Sequence, residues 1–226
     1  MTIMLRTVLS GLERLAELGL SIEIIARALR RGDQQTASCT ALDPPIMEGL
    51  LRWGRTTAFL REELIPVGWS FDNPRNLART IHPSGEFAIV IATGDEGTGL
   101  ASHEAGPRHA KGYATEQAIH ANGQLSFEFG SLLHVTQQGQ AAGLGALKTW
   151  FLLYHGEPDC FRVELSLPEA FEGGRITRWT ERILLPAVPR GPATEPASIF
   201  LGPVDHPAVD LVHPTVLGDD RARAGR

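Results

Sequence analysis

Apolar residues recur at helical spacing through the first third of the chain and then switch to strand-like runs. Leu5, Val8, Leu9, Leu12, Leu15 and Ala16, followed by Ile22, Ile25, Ala28 and Leu29, predict helix over 3–31. Gly19 and Ser21 divide that stretch into two helices, with Ser21 as the N-cap of the second. Gly32–Leu42 reads as a polar linker. Asp43-Pro44-Pro45 then opens a longer helix, with Asp43 as cap and Pro44 in the first turn. Ile46, Leu50, Trp53, Thr57, Leu60 and Leu64 make one stripe along it, and Pro66 ends it.

From Gly68 the period becomes that of strands. Leu77–His82 and Phe87–Thr93 predict two strands joined through Pro83-Ser84-Gly85, where Pro presets φ and Gly takes the left-handed position. Phe87–Thr93 is apolar on both faces and is expected to be a covered central strand. Residues 94–113, with six glycines and prolines, read as a long loop, and loops of that length usually serve a site or lack order. Ala114–Ala121 reads as a short helix stopped by Asn122-Gly123, and Gln124–Phe129 as a strand. Residues 130–146 fit no period. Thr149–His155 and Cys160–Leu167 predict a hairpin across Gly156–Asp159, and Arg175–Leu185 a further strand after the Gly173-Gly174 turn. Beyond Pro186 the chain is rich in Pro, Ala and Gly.

These elements predict an α+β protein. N-terminal helices (1–66) pack on a mainly antiparallel sheet of about five strands (67–189), and a Pro-rich irregular tail follows (190–226).

Charge narrows the function classes. The chain has 226 residues, 42% of them hydrophobic and 21% charged, with a formal net charge of −5. That balance argues against a surface devoted to phosphate backbone. Two cysteines far apart, Cys39 and Cys160, give no disulfide framework, so a reducing cytoplasm is expected. No apolar run is long enough to predict a transmembrane helix.

Three elements carry candidate chemistry. The loop ATGDEGTG and the residues after it offer Thr93, Asp95, Thr98, Arg108 and Lys111 as ligand-binding candidates. The loop lacks the glycine–lysine order of a Walker A sequence, and Asp95 and Glu96 would repel phosphate unless Mg²⁺ intervened. A flexible contact loop is the plainer reading. Arg27, Arg30, Arg31, Arg52 and Arg55 lie on successive predicted helices as candidates for a nucleic-acid or partner face, against the simpler reading of a solvated surface balanced by acids. Residues 11–31 have the rhythm of a helix-turn-helix, but Ile22, Glu23, Ile24 and Ile25 are poor readers of base edges. Arg162, Glu164 and Ser166, opposite Thr177, Arg178 and Arg182, read as a solvated sheet face with cross-strand ion pairs. None of the eight histidines belongs to a recognised metal-ligand spacing, so no metal site is assigned.

The segments FLREELIPVGWSFDNPRNLARTIHPSGEFAIVIATGDEGTG and WFLLYHGEPDCFRVELSLP resemble small uncharacterised proteins carried on proteobacterial mobile elements, over about residues 44–186. The resemblance implies a role in element maintenance, defence or counter-defence. No complete catalytic set is found in the sequence, while the long glycine-rich segments and irregular tail offer contact surface, so the leading expectation is a non-enzymatic interaction or accessory protein acting on a protein or protein–nucleic-acid complex. It needs no cofactor, makes no membrane contact and leaves room for a homo-oligomer. The alternatives are a metal-dependent phosphate- or nucleotide-acting enzyme built on loop 94–113, with Mg²⁺, and a DNA-binding regulator acting through residues 11–31.

Overall fold

The computed structural model describes residues 3–6, 8–128 and 147–191, the side chains of 123–128 excepted. The stretch 130–146 and the tail beyond residue 191, both singled out in the sequence, lie outside the described residues.

The elements run β1 (Met4–Arg6), α1 (Val8–Glu17), α2 (Ile22–Gln35), α3 (Met47–Leu64), β2 (Ser70–Asp72), β3 (Arg79–Ile81), β4 (Phe87–Thr93), α4 (Tyr113–Glu128), β5 (Lys148–Gly156), β6 (Cys160–Glu172) and β7 (Arg175–Pro189). The strands form one seven-stranded sheet in the order β1-β7-β6-β5-β4-β3-β2. The protein is α+β, but its sheet is mixed and larger than five antiparallel strands. β1 pairs parallel with β7 and β4 pairs parallel with β5, while the other neighbours are antiparallel.

The parallel β4–β5 pair follows from the segment between them. Residues 113–128 form one helix instead of a short helix and a strand, so the chain crosses over one sheet face and returns in the same direction. Asn122, expected to stop the helix, is buried inside it. Its amide donates to the carbonyls of Thr149 (3.0 Å) and Pro168 (2.9 Å) and accepts from Thr149 N–H (2.7 Å), which tethers the crossover to the sheet. At the N-terminus, Met4–Arg6 adds an edge strand where helix is predicted.

The caps are partly as expected. Ser21 accepts from Ile24 N–H at the start of α2, and Gly19 makes the preceding turn at φ 68°. α2 runs on through Gly32 to Gln35, because Gly32 sits against Thr56 where a Cβ would lie 2.1 Å from Oγ1. Asp43 does not cap α3: its carboxylate closes a turn on Thr40 N–H (2.8 Å), and the helix begins at Met47. The β3–β4 hairpin has Gly85 at φ 70°, with Gly85 N–H donating to His82 C=O.

β4 divides the core in two. Phe87, Ile89 and Ile91 join Trp150, Leu152, Phe161 and Val163 beneath Leu15, Ile25, Leu29, Leu60 and Leu64 of α1–α3. Val90 and Ala92 join Phe151 and Leu153 on the other face, under Ala118 and Ile119 of α4 and Ala105 of the following loop. Both faces being covered is why β4 reads as a continuous apolar run. The face carrying Glu164, Ser166 and Arg182 is likewise covered and not solvated, because the loop after β4 lies over it. Among the described residues no helix is long and apolar enough to cross a membrane.

Candidate functional site

Two polar constellations flank the carboxyl end of β4. The first is closed. Glu164, fully buried on β6, accepts from Arg182 Nε (3.0 Å) and Nη2 (2.6 Å), Ser166 Oγ (2.7 Å) and the Gly99 N–H (2.8 Å). Arg182 Nη1 also donates to His103 C=O (2.7 Å), and Trp179 Nε1 to Ala105 C=O (2.8 Å). A carboxylate accepting four hydrogen bonds, with a guanidinium aligned on it, has no capacity left for chemistry. It pins loop 94–112 onto the sheet.

The loop itself is tightly built. Asp95 N–H donates to Gly106 C=O (2.8 Å), and its Oδ1 accepts from Gly97 N–H (3.1 Å). Thr98 is fully buried and its Oγ1 has no hydrogen-bond partner among the described residues. Its place requires Gly94, where a Cβ would lie 2.0 Å from that oxygen. Asp95 and Thr98 therefore serve the loop's own fold.

The second constellation is open. β3 ends its pairing at Val90, so the last residues of β4 have a free edge. Trp53 Nε1 fills part of it by donating to Ile91 C=O (2.9 Å). The returning loop fills the rest: Arg108 N–H donates to Thr93 C=O (2.9 Å), and Gly94 bridges Pro107. Lys111 N–H is held by Gly174 C=O (2.8 Å). This docking sets Arg108, His109 and Lys111 along one wall of a cleft of about 650 Å³. Pro45, Ile46, Leu50 and Trp53, at and before the start of α3, form the opposite wall, and Thr93 lies between.

The two walls differ in character. Ile46 is 71% exposed and Leu50 49% exposed, so the start of the predicted stripe is uncovered, while Trp53 is partly buried against the core and Thr57, Leu60 and Leu64 are buried. The first half of the stripe, through Trp53, is the apolar wall. On the polar wall, neither Arg108 nor Lys111 has a carboxylate partner among the described residues. Burial pushes the half-buried Lys111 ammonium below its ordinary pKa, with no anion to offset it. Arg52, also lining the cleft, differs: it donates to Asp33 Oδ1 (2.7 Å) and to Glu48, and Asp33 in turn accepts from Arg190 (2.9 and 3.0 Å). Behind Thr93, its hydroxyl donates to Tyr154 Oη (3.2 Å), whose pKa burial raises.

The sequence candidates thus separate. Thr93, Arg108 and Lys111 meet in the cleft; Asp95 and Thr98 do not line it. Of the helix arginines, Arg27 pairs with Glu63 (2.8 Å), Arg31 with Glu62 (2.8 Å) and Arg52 with Asp33. Arg31 and Arg55 lie over the Phe59 ring, and Arg30 Nε is buried without a partner among the described residues. The Arg27, Arg31 and Arg52 contacts tie α2 to α3. In the helix-turn-helix-like stretch, α2 turns Ile25, Ala28 and Leu29 into the core. Ile46, Leu50, Trp53 and His109 were not foreseen as site residues. The signal was present in an apolar stripe that begins before its helix does.

The carboxyl end of a parallel strand pair is a common position for ligands in α/β sheets. Comparison with protein-family models, curated proteins and solved structures returns no match to this chain.

Proposed function

We propose that this chain acts by binding, as a non-enzymatic accessory protein that takes an organic anion into the cleft between α3 and residues 107–111. The observation that carries this reading is a half-buried lysine and an arginine, without carboxylate partners among the described residues, facing an exposed apolar wall. The cleft volume falls within the range of small-molecule sites, on the order of 300–1,000 Å³. The resemblance to mobile-element proteins adds a setting, namely maintenance, defence or counter-defence. A metal-assisted reaction finds less support, because Asp95, the carboxylate it relied on, does not line the cleft with Arg108 and Lys111.

Thermal unfolding at low salt in the presence of benzoate and phenyl phosphate tests the reading. A ligand that binds only the native state raises the midpoint. We expect a rise in wild type that is lost in Arg108→Ala/Lys111→Ala. No rise with either anion, or a rise the double variant retains, overturns the proposal.

A protein partner is the second reading, favoured by Ile3, Met4, Leu5, Val8 and Leu9, all exposed on or beside the sheet edge β1. A strand at the edge of the described sheet can pair with itself across a two-fold axis, so the partner needing no further component is a second copy. Sedimentation velocity should then show a dimer that Leu5→Lys dissociates. A monomer at all concentrations would exclude that partner.

A further inference from the structure

The cleft carries more charge than a single carboxylate would match. Arg108 and Lys111 stand on one wall with His109 between them in sequence, and none of the three has an acidic side-chain partner among the described residues. Arg52, the remaining cation of the lining, is already neutralised by Asp33 and Glu48. The uncompensated charge is therefore about two units, both on the loop wall. A monoanion would leave one of these cations unmatched. A phosphomonoester, at roughly −1.5 to −2 near neutral pH and with three acceptor oxygens, matches both.

The facing wall constrains the rest of the ligand. Trp53 is held by its hydrogen bond to Ile91 C=O, and Ile46 and Leu50 extend the apolar surface beside it. Such a wall suits a flat ring covering exposed side chains, and a bare anion would leave it in water. Thr93, at the end of β4 between the two walls, is a hydroxyl within the same cleft, and Glu48 supplies its one carboxylate.

Resting on the anion-binding reading above, we infer that the ligand is a phosphomonoester carried on a flat ring system. The phosphate sits against Lys111 and Arg108, and the ring lies on Trp53, Ile46 and Leu50.

Titration calorimetry of the full chain at low salt, with phenyl phosphate, benzoate and inorganic phosphate as probes, tests this. Phenyl phosphate should bind about 10-fold or more tightly than benzoate, the difference expected for one additional charge-assisted contact. It should also bind more tightly than inorganic phosphate, because only the ester covers the apolar wall. Lys111→Ala and Arg108→Ala should each weaken phenyl phosphate by about 10-fold or more. Arg178→Ala, which removes an exposed cation paired with Glu169 away from the cleft, should leave it unchanged. Benzoate binding as tightly as phenyl phosphate overturns the phosphate assignment while leaving anion binding in place. Inorganic phosphate binding as tightly as its ester overturns the role of the ring. Absence of binding by all three overturns both this inference and the reading beneath it.

Discussion

The Glu164–Arg182 cluster and the Arg108–Lys111 wall lie on the same loop-and-sheet framework and use the same residue types, yet they do opposite things. Glu164 is fully enclosed, and every acceptor position it has is taken by Arg182, Ser166 or Gly99. Lys111 is half-buried and has no carboxylate partner among the described residues. A buried charge whose partners are all internal defines shape. A partly buried charge without them is an energetic deficit that a ligand can cancel. The first holds loop 94–112 in place, and by doing so it delivers the second to the cleft.

The comparison breaks first at Arg182. Arg182→Met leaves Glu164 buried and unpaired, and should destabilise the fold by about 3–5 kcal/mol in urea denaturation. The variant should also admit protease at residues 95–106, since their carbonyl contacts with Arg182 go too. A cost below about 1 kcal/mol would mean the cluster does not clamp the loop.

Lys111→Met makes the opposite prediction. It should weaken phenyl phosphate by about 10-fold or more and yet stabilise the free protein at neutral pH. The folded-state pKa of Lys111 lies below its unfolded value, so folding disfavours the charged form. That penalty is fully present below the folded pKa and disappears as pH rises past the unfolded one. The stability gap between variant and wild type should therefore close on approach to the ordinary lysine range, as read from unfolding curves between neutral and strongly alkaline pH. A gap that is constant with pH would contradict the desolvation argument.

Asp95→Ala sharpens the boundary between loop and site. It removes the acceptor for Gly97 N–H and should cost about 1 kcal/mol in thermal unfolding. Affinity for phenyl phosphate should stay within about twofold, since the carboxylate does not line the cleft. A Mg²⁺-dependent loss of binding would instead restore the metal-assisted alternative. The smallest effect is expected at Arg178→Ala, which breaks the exposed pair with Glu169 and should change stability by less than about 1 kcal/mol.

The legible parts of the fold were those set by local pattern. The stripe from Trp53 to Leu64, the Ser21 cap, the Gly85 hairpin and the β5–β6 pair all followed from residues close in sequence. The crossover did not. α4 carries Asn122 and Gly123 in its middle, a pair that signals a stop, and it persists because the Asn122 amide bonds the sheet. β1 is three residues long and lies against an apolar helix pattern, so only its partner β7 reveals it. Alternation in β6 showed that Glu164 and Ser166 share a face, but a distant loop decides whether that face meets water. The cleft was half legible. Thr93, Arg108 and Lys111 were candidates from the loop alone, whereas Ile46 and Leu50 read only as members of a helix stripe, because periodicity shows which residues share a face and not whether anything covers it.

The most direct measurement of the central claim is a two-dimensional ¹H–¹⁵N NMR titration of the full chain with phenyl phosphate at low salt. Saturable shifts are expected at Thr93, residues 108–111 and the Trp53 indole N–H alone, with the Gly99 N–H beneath Glu164 unmoved. Shifts centred on the α2–α3 arginines, or none at the cleft at saturating ligand, would contradict that claim.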